Sequence, residues 1–310
     1  GNNFCTENTG LLEGSFKKCK KLGKKFLYSN KILYKINLAS IESIEEECLY
    51  YNETISTLYL PMVKIIKSRF LYHDKRLLEF HAPLLLELGN SSFNGCNKLE
   101  ILDCPNIKVI GGDVLRDNRK IIELELPEVQ IIGDDFMRFN TNCRTFKAKN
   151  LKVVGDNFFL CNEIMVVLEV ENLEKVGNEF LYSNRAVPTI ILNKLKILTS
   201  GFMHSDRSLH TAILPNVTTI GKDVFTECTE LQELSLPNVT TIGDSFMTHA
   251  VKLEKFHANL LEKVGRDFMT ENTALYDFQA ENLKQADEGF LIDNEKLCDY
   301  FNKKRRGKTA

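Results

Sequence analysis

An apolar pair centred on phenylalanine returns every 22 residues along this 310-residue chain, with no insertion between repeats. It stands at Phe26-Leu27, Phe70-Leu71, Phe136-Met137, Phe158-Phe159, Phe180-Leu181, Phe202-Met203, Phe246-Met247, Phe268-Met269 and Phe290-Leu291. Cys48-Leu49, Ser92-Phe93, Val114-Leu115 and Val224-Phe225 fill the places between. A fixed period of this length, rich in Leu, Ile, Val and Phe, marks a solenoid in which each repeat is one coil stacked on the last. A single coil cannot bury its own apolar face. Stacking neighbours complete the core, so function belongs on a surface rather than in a cleft between lobes.

Within each repeat two apolar columns are separated by one variable residue, as in Ile36 and Leu38, Leu58 and Leu60, or Leu234 and Leu236. That alternation is a strand with one buried face. Pro61, Pro83, Pro105, Pro127, Pro215 and Pro237 share one column just after it, where a missing N–H ends ladder pairing. A second apolar pair, such as Val239 and Ile242, is followed in most repeats by Gly: Gly23, Gly89, Gly111, Gly133, Gly155, Gly177, Gly221, Gly243 and Gly265. Glycine there predicts a corner needing either φ > 0 or a close backbone approach. The phenylalanine then falls in a segment expected to be short helix or 3₁₀ turn. Pro188 in a strand position and Thr199 at a corner predict an irregularity near residues 181–202.

One polar column is the most specific feature. Asn8, Asn30, Asn52, Asn118, Asn140, Asn162, Asn184, Asn272 and Asn294 occupy it, with Asp74, Asp206, Cys96 and Cys228 substituting. An asparagine held beside a fixed phenylalanine is expected to be buried and bonded to turn backbone, which must find partners once out of water. This is a structural ladder, not a catalytic set.

The pattern resembles the BspA-like class of leucine-rich repeats, in which Asn or Cys lies three residues before an "LxxLxL" strand and follows an "IGxxxF" segment. In the commoner leucine-rich repeat Asn follows the strand, where this chain has Ile41, Val63, Ile107, Val129, Val217 and Val239. The resemblance spans essentially the whole chain. It implies a right-handed leucine-rich repeat solenoid with a parallel β-sheet on one face and short extended, 3₁₀ or helical segments on the others. It also implies a surface, adhesion or interaction module, because fold alone leaves the partner open.

Residues 1–310 read as a single array of about 13–14 coils. The array begins in mid-repeat, since Gly1-Asn2-Asn3-Phe4 matches Gly177 to Phe180, so further coils are expected upstream. Residues 303–310 form a basic tail, a solvated charge run. Forty basic residues against 42 acidic ones give −2, so no global field draws the chain to nucleic acid or membrane. No apolar run is long enough for a transmembrane segment. Of nine cysteines, Cys5, Cys19, Cys48, Cys96, Cys104, Cys143 and Cys228 fall in core or ladder columns, where free thiols act as small apolar residues and fit a reducing compartment. Sequons at Asn52, Asn90, Asn216 and Asn238 point the other way. The family resemblance leans to a secreted or cell-surface protein, and the compartment stays open.

The six histidines show no metal-ligand spacing with Cys, His or carboxylates. His204, Ser205 and Asp206 are consecutive, and Asp206 belongs to the ladder, so they make no triad. The expectation is no enzyme, no cofactor and no metal. The strand's outward columns are the freest positions and therefore the candidate partner-binding face: Tyr59, His81, Asp103, Glu123, Glu125, Lys147, Val166, Val167, Glu169, Ile191, Ile213 and His257. Glu100, Asp103, Glu123 and Glu125 make an acidic patch, and Val166, Val167, Ile191 and Ile213 an apolar one. The reading is a non-enzymatic protein–protein interaction or adhesion module, its partner a protein, host or extracellular proteins included. An intracellular scaffold or effector is the alternative.

Overall fold

The computed structural model describes residues 1–297. Cys298, Tyr300, Phe301 and the basic tail at 303–310 lie outside the described residues. The chain divides into two compact units, Gly1–Val170 and Glu171 onward. Both are built from the same coil: a three-residue strand, a turn, a two-residue strand, a corner and a run of turns.

In the first unit the three-residue strands are β1 (Glu13–Ser15), β3 (Lys35–Asn37), β5 (Thr57–Tyr59), β7 (Glu79–His81), β9 (Ile101–Asp103), β11 (Glu123–Glu125), β13 (Thr145–Lys147) and β15 (Val167–Glu169). Between them come β2 (Lys21–Leu22), β4 (Ser43–Ile44), β6 (Ile65–Ile66), β8 (Glu87–Leu88), β10 (Val109–Ile110), β12 (Ile131–Ile132) and β14 (Val153–Val154). The two-residue strands form one unbroken seven-stranded sheet. The longer ones form sheets β1-β3, β5-β7-β9 and β11-β13-β15. Pairing is parallel with the repeat as register, so Leu124 faces Phe146 and Phe146 faces Leu168.

The second unit repeats the scheme with β16 (Thr189–Ile191), β17 (Ile197–Leu198), β18 (Thr211–Ile213), β19 (Thr219–Ile220), β20 (Glu233–Ser235), β21 (Thr241–Ile242), β22 (Lys255–His257), β23 (Lys263–Val264), β24 (Asp277–Gln279) and β25 (Gln285–Ala286). Its two-residue strands join in a five-stranded sheet, and its longer ones in sheets β16-β18 and β20-β22-β24.

The repeating apolar columns are the core. Phe136 and Phe158 stack at 5.8 Å in the first unit, and in the second Phe246, Phe268 and Phe290 form a stack of their own at 5.6 and 5.7 Å. The segment carrying these rings is a run of turns rather than the helix or 3₁₀ expected. Alternate residues are left-handed: Asp135 (φ 56), Met137 (φ 52) and Phe139 (φ 63) around Phe136, and Lys25, Leu27 and Ser29 around Phe26. Each such residue costs about 1–2 kcal/mol. The gain is that its N–H groups leave the coil. Those of Asp135 and Phe139 donate forward to Asp156 and Leu160 at 2.8 and 3.0 Å, and that of Met137 donates back to Val114 at 3.1 Å. A helix would keep those bonds within one coil and leave the neighbours unjoined.

At the corners only one of the two reasons for glycine holds. Gly89, Gly111, Gly133 and Gly155 are not at positive φ. Instead a Cβ on Gly133 would lie 2.6 Å from the Gly112 nitrogen, and one on Gly89 2.5 Å from the Ser68 nitrogen. Coil spacing itself excludes a side chain. Pro188 keeps its acceptor side, its carbonyl taking the N–H groups of His210 and Thr211 at 2.8 and 3.2 Å. Thr199 Oγ1 donates to the Gly177 carbonyl at 2.5 Å. The irregularity expected near residues 181–202 is present: β16, which follows Pro188, pairs with β18 alone among the described strands, and in the coil before it only residue 175 bridges in place of a two-residue strand.

Candidate functional site

Behind the strands the ladder is built at most of its rungs as the column suggests, with Asn272 buried but making no side-chain hydrogen bond. Nδ2 donates to a carbonyl 25 residues back: Asn52 to Leu27 at 2.8 Å, Asn118 to Phe93 at 2.7 Å, Asn140 to Leu115 at 2.6 Å and Asn294 to Met269 at 2.8 Å. Every one of those acceptors is a left-handed residue of the phenylalanine pair. Cys96 and Cys228 occupy the same place, with Sγ 3.0 and 3.2 Å from the Leu71 and Met203 carbonyls. The amide acts mainly as a donor, since Oδ1 of Asn118 and Asn140 accepts no hydrogen bond. Asn8 departs from the column: it is exposed and caps the Gly10 and Leu11 N–H groups at 2.9 Å.

A second ladder runs along the turns after the strands. Asn106, Asn150 and Asn238 donate to the carbonyls of Pro83, Pro127 and Pro215 at 2.7, 2.8 and 2.8 Å, and Asn216 to that of Asn193 at 2.6 Å. The sequon asparagines Asn216 and Asn238 thus recur for a backbone reason, and Asn52 is buried.

The strand face holds the predicted residues in accessible positions. In the first unit Tyr59 is 58% exposed and Val166 48%; Asp103, Glu123, Glu125 and Glu169 are exposed, and His81, Lys147 and Val167 are half-buried. Cross-coil ion pairs knit part of this face, Lys147 to Glu169 at 3.1 Å and His81 to Asp103 at 3.1 Å, and His81 also meets Glu79 of its own strand at 3.3 Å. Asp103 first, then Glu79, raises the His81 pKa above its ordinary value against the opposing effect of burial. Glu123 and Glu125 form no ion pair among the described residues. The sheet breaks between β9 and β11, where the repeat would set Glu125 opposite Asp103, and like charges directly opposite destabilise a ladder. In the second unit Ile191 and Ile213 pair side by side, both exposed, and His257 Nε2 lies 2.9 Å from Asp277 Oδ2. The expected apolar patch is divided accordingly: Val166 and Val167 belong to the first unit, Ile191 and Ile213 to the second.

Sequence reasoning missed the opposite face. In the first unit Met62, Leu84, Leu86, Val109 and Ile131 are exposed on or beside the two-residue strands, and in the second Ile197 is 54% exposed. Ile197 borders a groove of about 1050 Å³ with Val176, Lys196, Thr218 and Asn238. Apolar residues just before the buried member of each strand were the available signal. Cys19, expected in the core, is exposed, and Cys5 is only half-buried. Burial pushes the Cys48 and Cys143 thiols up to about 12, which keeps them unreactive.

Asp206 stays out of any triad, its Oδ1 accepting the Ser208 N–H at 3.0 Å. Ser205 Oγ instead sits 2.8 Å from His204 Nδ1 and 3.2 Å from Glu227 Oε2, with Tyr182 stacked on the imidazole at 4.5 Å. Among the described residues no three His, Cys, Asp or Glu side chains converge as a metal site, and no helix is long and apolar enough to cross a membrane.

Several solved structures are similar to the chain. A leucine-rich repeat protein from Bacteroides ovatus aligns with a TM-score of 0.59 at 20% identity, over 82% of this chain and 75% of that one. The pneumococcal vaccine antigen PcpA aligns at 0.49 and 16%, over 90% and 80%. A leucine-rich cell surface protein from Faecalibacterium prausnitzii aligns at 0.44 and 12%, over 77% and 83%. At these identities the likeness is one of fold. No curated protein matches the chain. The model of the BspA type leucine-rich repeat region matches residues 3–100, 64–188, 167–275 and 195–297. With that family model matching nearly the whole chain, the chain belongs to the BspA-type leucine-rich repeat family.

Proposed function

We propose that the chain is a non-enzymatic protein-binding module that meets its partner through the strand face. The observation that carries this reading is the exposed mixture on that face in the first unit. Ile101 and Ile122 stand open to solvent beside Glu123 and Glu125, two carboxylates with no ion-pair partner among the described residues, and Tyr59 is exposed on β5, two strands before β9 in its sheet. An apolar centre bordered by unmatched charge is the usual composition of a protein interface. The partner segment it favours carries basic and apolar side chains together. In the second unit Ile191 and Ile213 offer the corresponding apolar contact.

The test is site-specific photo-cross-linking in the intact chain. A photoreactive residue at Tyr59 should capture a discrete protein that the same group at Ile131, on the two-residue strands, does not. Glu123→Lys with Glu125→Lys should abolish that capture. Capture only from Ile131 would move the binding face to the other sheet.

The surface or secreted setting rests on the family. The intracellular scaffold is favoured by a separate observation, the free buried thiols of Cys48, Cys96, Cys104, Cys143 and Cys228. Native material with a disulfide or an N-glycan supports the first setting, and nine titratable thiols in freshly isolated protein support the second.

A further inference from the structure

Two rungs of the buried ladder carry carboxyl groups where the others carry amides. Asp74 and Asp206 are both fully buried. Oδ1 of Asp74 accepts the N–H groups of Arg76 and Leu77 at 3.0 and 3.1 Å, and Oδ1 of Asp206 that of Ser208 at 3.0 Å. Oδ2 of each has no hydrogen-bond partner. In the asparagine rungs Asn52, Asn118 and Asn140 the corresponding atom is Nδ2, and it donates to the carbonyl 25 residues back, whereas Nδ2 of Asn272 has no partner. Counting back the same number from Asp74 and Asp206 reaches Leu49 and Leu181, left-handed residues of the phenylalanine pair like the other acceptors. A carboxylate oxygen has no proton to give there. A carboxylic acid does.

We propose that Asp74 and Asp206 are carried as neutral acids, each donating from Oδ2 to the carbonyl 25 residues behind it, and that releasing those protons opens the ladder at one rung in each unit. Among the described residues no cationic side chain forms an ion pair with either group to offset a negative charge. Asp74 is faced by Glu53, of like sign, and by the Cys96 thiol of the following rung. Asp206 is faced by the Cys228 thiol and by N–H groups of Ser208, Val187 and Leu209. Burial outweighs the N–H groups and pushes both carboxyls up to about 7.

Because the folded value lies above the unfolded one of 3.8, the contribution is complete below pH 3.8. It is lost as pH rises through about 7. Surface carboxylates in ion pairs have the opposite dependence, so these two rungs make each unit firmer in mild acid than above neutrality. Asp74 lies in the coil that carries β7, so the rung and part of the strand face loosen together.

The experiment compares the full chain with Asp74→Asn/Asp206→Asn, which places a permanent donor at both rungs. Denaturant midpoints at pH 5 and pH 8 should nearly coincide for the two proteins in acid, with the variant higher at pH 8. His73, His81 and His204 titrate in both proteins and cancel in the difference. Side-chain carboxyl carbons of the wild type, followed by NMR, should show two aspartates titrating near 7 that vanish in the variant. That second measurement stands even if the variant folds poorly. An equal midpoint difference at both pH values, or every aspartate titrating near 4, would overturn the proposal.

Discussion

Asn162 donates from its buried Nδ2 to the carbonyl of Met137, 25 residues back, at 2.9 Å. Met137 is left-handed (φ 52), and that conformation turns its carbonyl inward, where no water reaches it. The asparagine is therefore what makes the left-handed turn tolerable. Replacing Asn162 by Leu keeps the volume and removes one of the two donors to that carbonyl, the Asn140 N–H at 3.2 Å staying in place, so it should cost about 0.5–1.5 kcal/mol, the net worth of one buried hydrogen bond. The check is a denaturant midpoint with unchanged slope; an unmoved midpoint would strip the ladder of its stabilising role.

The corner glycines give a graded test. Gly133→Ala puts a methyl 2.6 Å from the Gly112 nitrogen, a backbone atom that can yield only if the coils separate. Overpacking of that kind typically costs about 1–3 kcal/mol. At the neighbouring Gly112 the nearest atom is the Asp134 carbonyl oxygen at 3.3 Å, so Gly112→Ala should be markedly milder. Equal thermal shifts for the two variants would mean that glycine serves backbone freedom here rather than coil spacing.

His81 sets a pH dependence with a defined sign. Its pKa is raised, chiefly by the hydrogen bond to Asp103, so the stabilisation it contributes is present below its ordinary 6.5 and is lost as pH rises through the folded value. His81→Gln should lower the thermal midpoint at pH 5.5 and change it little at pH 8.5. A greater loss at the higher pH would show that the ring works by packing alone.

Columns that repeat across many coils were legible because each position samples the same environment each time. The asparagine rungs, the buried Leu58 and Leu124, and the strand register follow from spacing alone. The phenylalanine segment was not legible. Lys25, Leu27 and Ser29 have no local preference for left-handed backbone, and only hydrogen bonds to both neighbouring coils hold them there. Cys19 misled because it shares a column with the buried Ile41 and Val63 yet is itself exposed. On the strand face the sequence located the accessible positions; the break beside Glu123 and Glu125 needed the coordinates.

The array reading of residues 1–310 makes a prediction about cooperativity. Stacked coils share core side chains, so the whole chain should unfold in one transition although its contacts divide it into two units. The sequence has no tryptophan. A single Trp placed at Tyr59 therefore reports on the first unit, and one at Tyr276 on the second. Coincident denaturant midpoints for both, matching the backbone signal, are expected. Separate midpoints would establish two independently folding modules.

Binding should concentrate on a few strand-face side chains, as interface energy usually does. Ile191 is exposed and Val167 half-buried, each on a three-residue strand of its own unit, so Val167→Asp and Ile191→Asp alter the proposed face while leaving the core columns untouched. Each should abolish partner capture with the β signal in circular dichroism retained, Val167→Asp losing somewhat more stability because its side chain is less open. Glu262→Lys is the control. It lies just before β23 and breaks a solvent-exposed pair with Lys284 at 3.0 Å, an interaction worth about 0–1 kcal/mol. It should neither unfold the chain nor release the partner. Release by Glu262→Lys, with capture unchanged in Val167→Asp and Ile191→Asp, would put the partner on the sheet of two-residue strands instead.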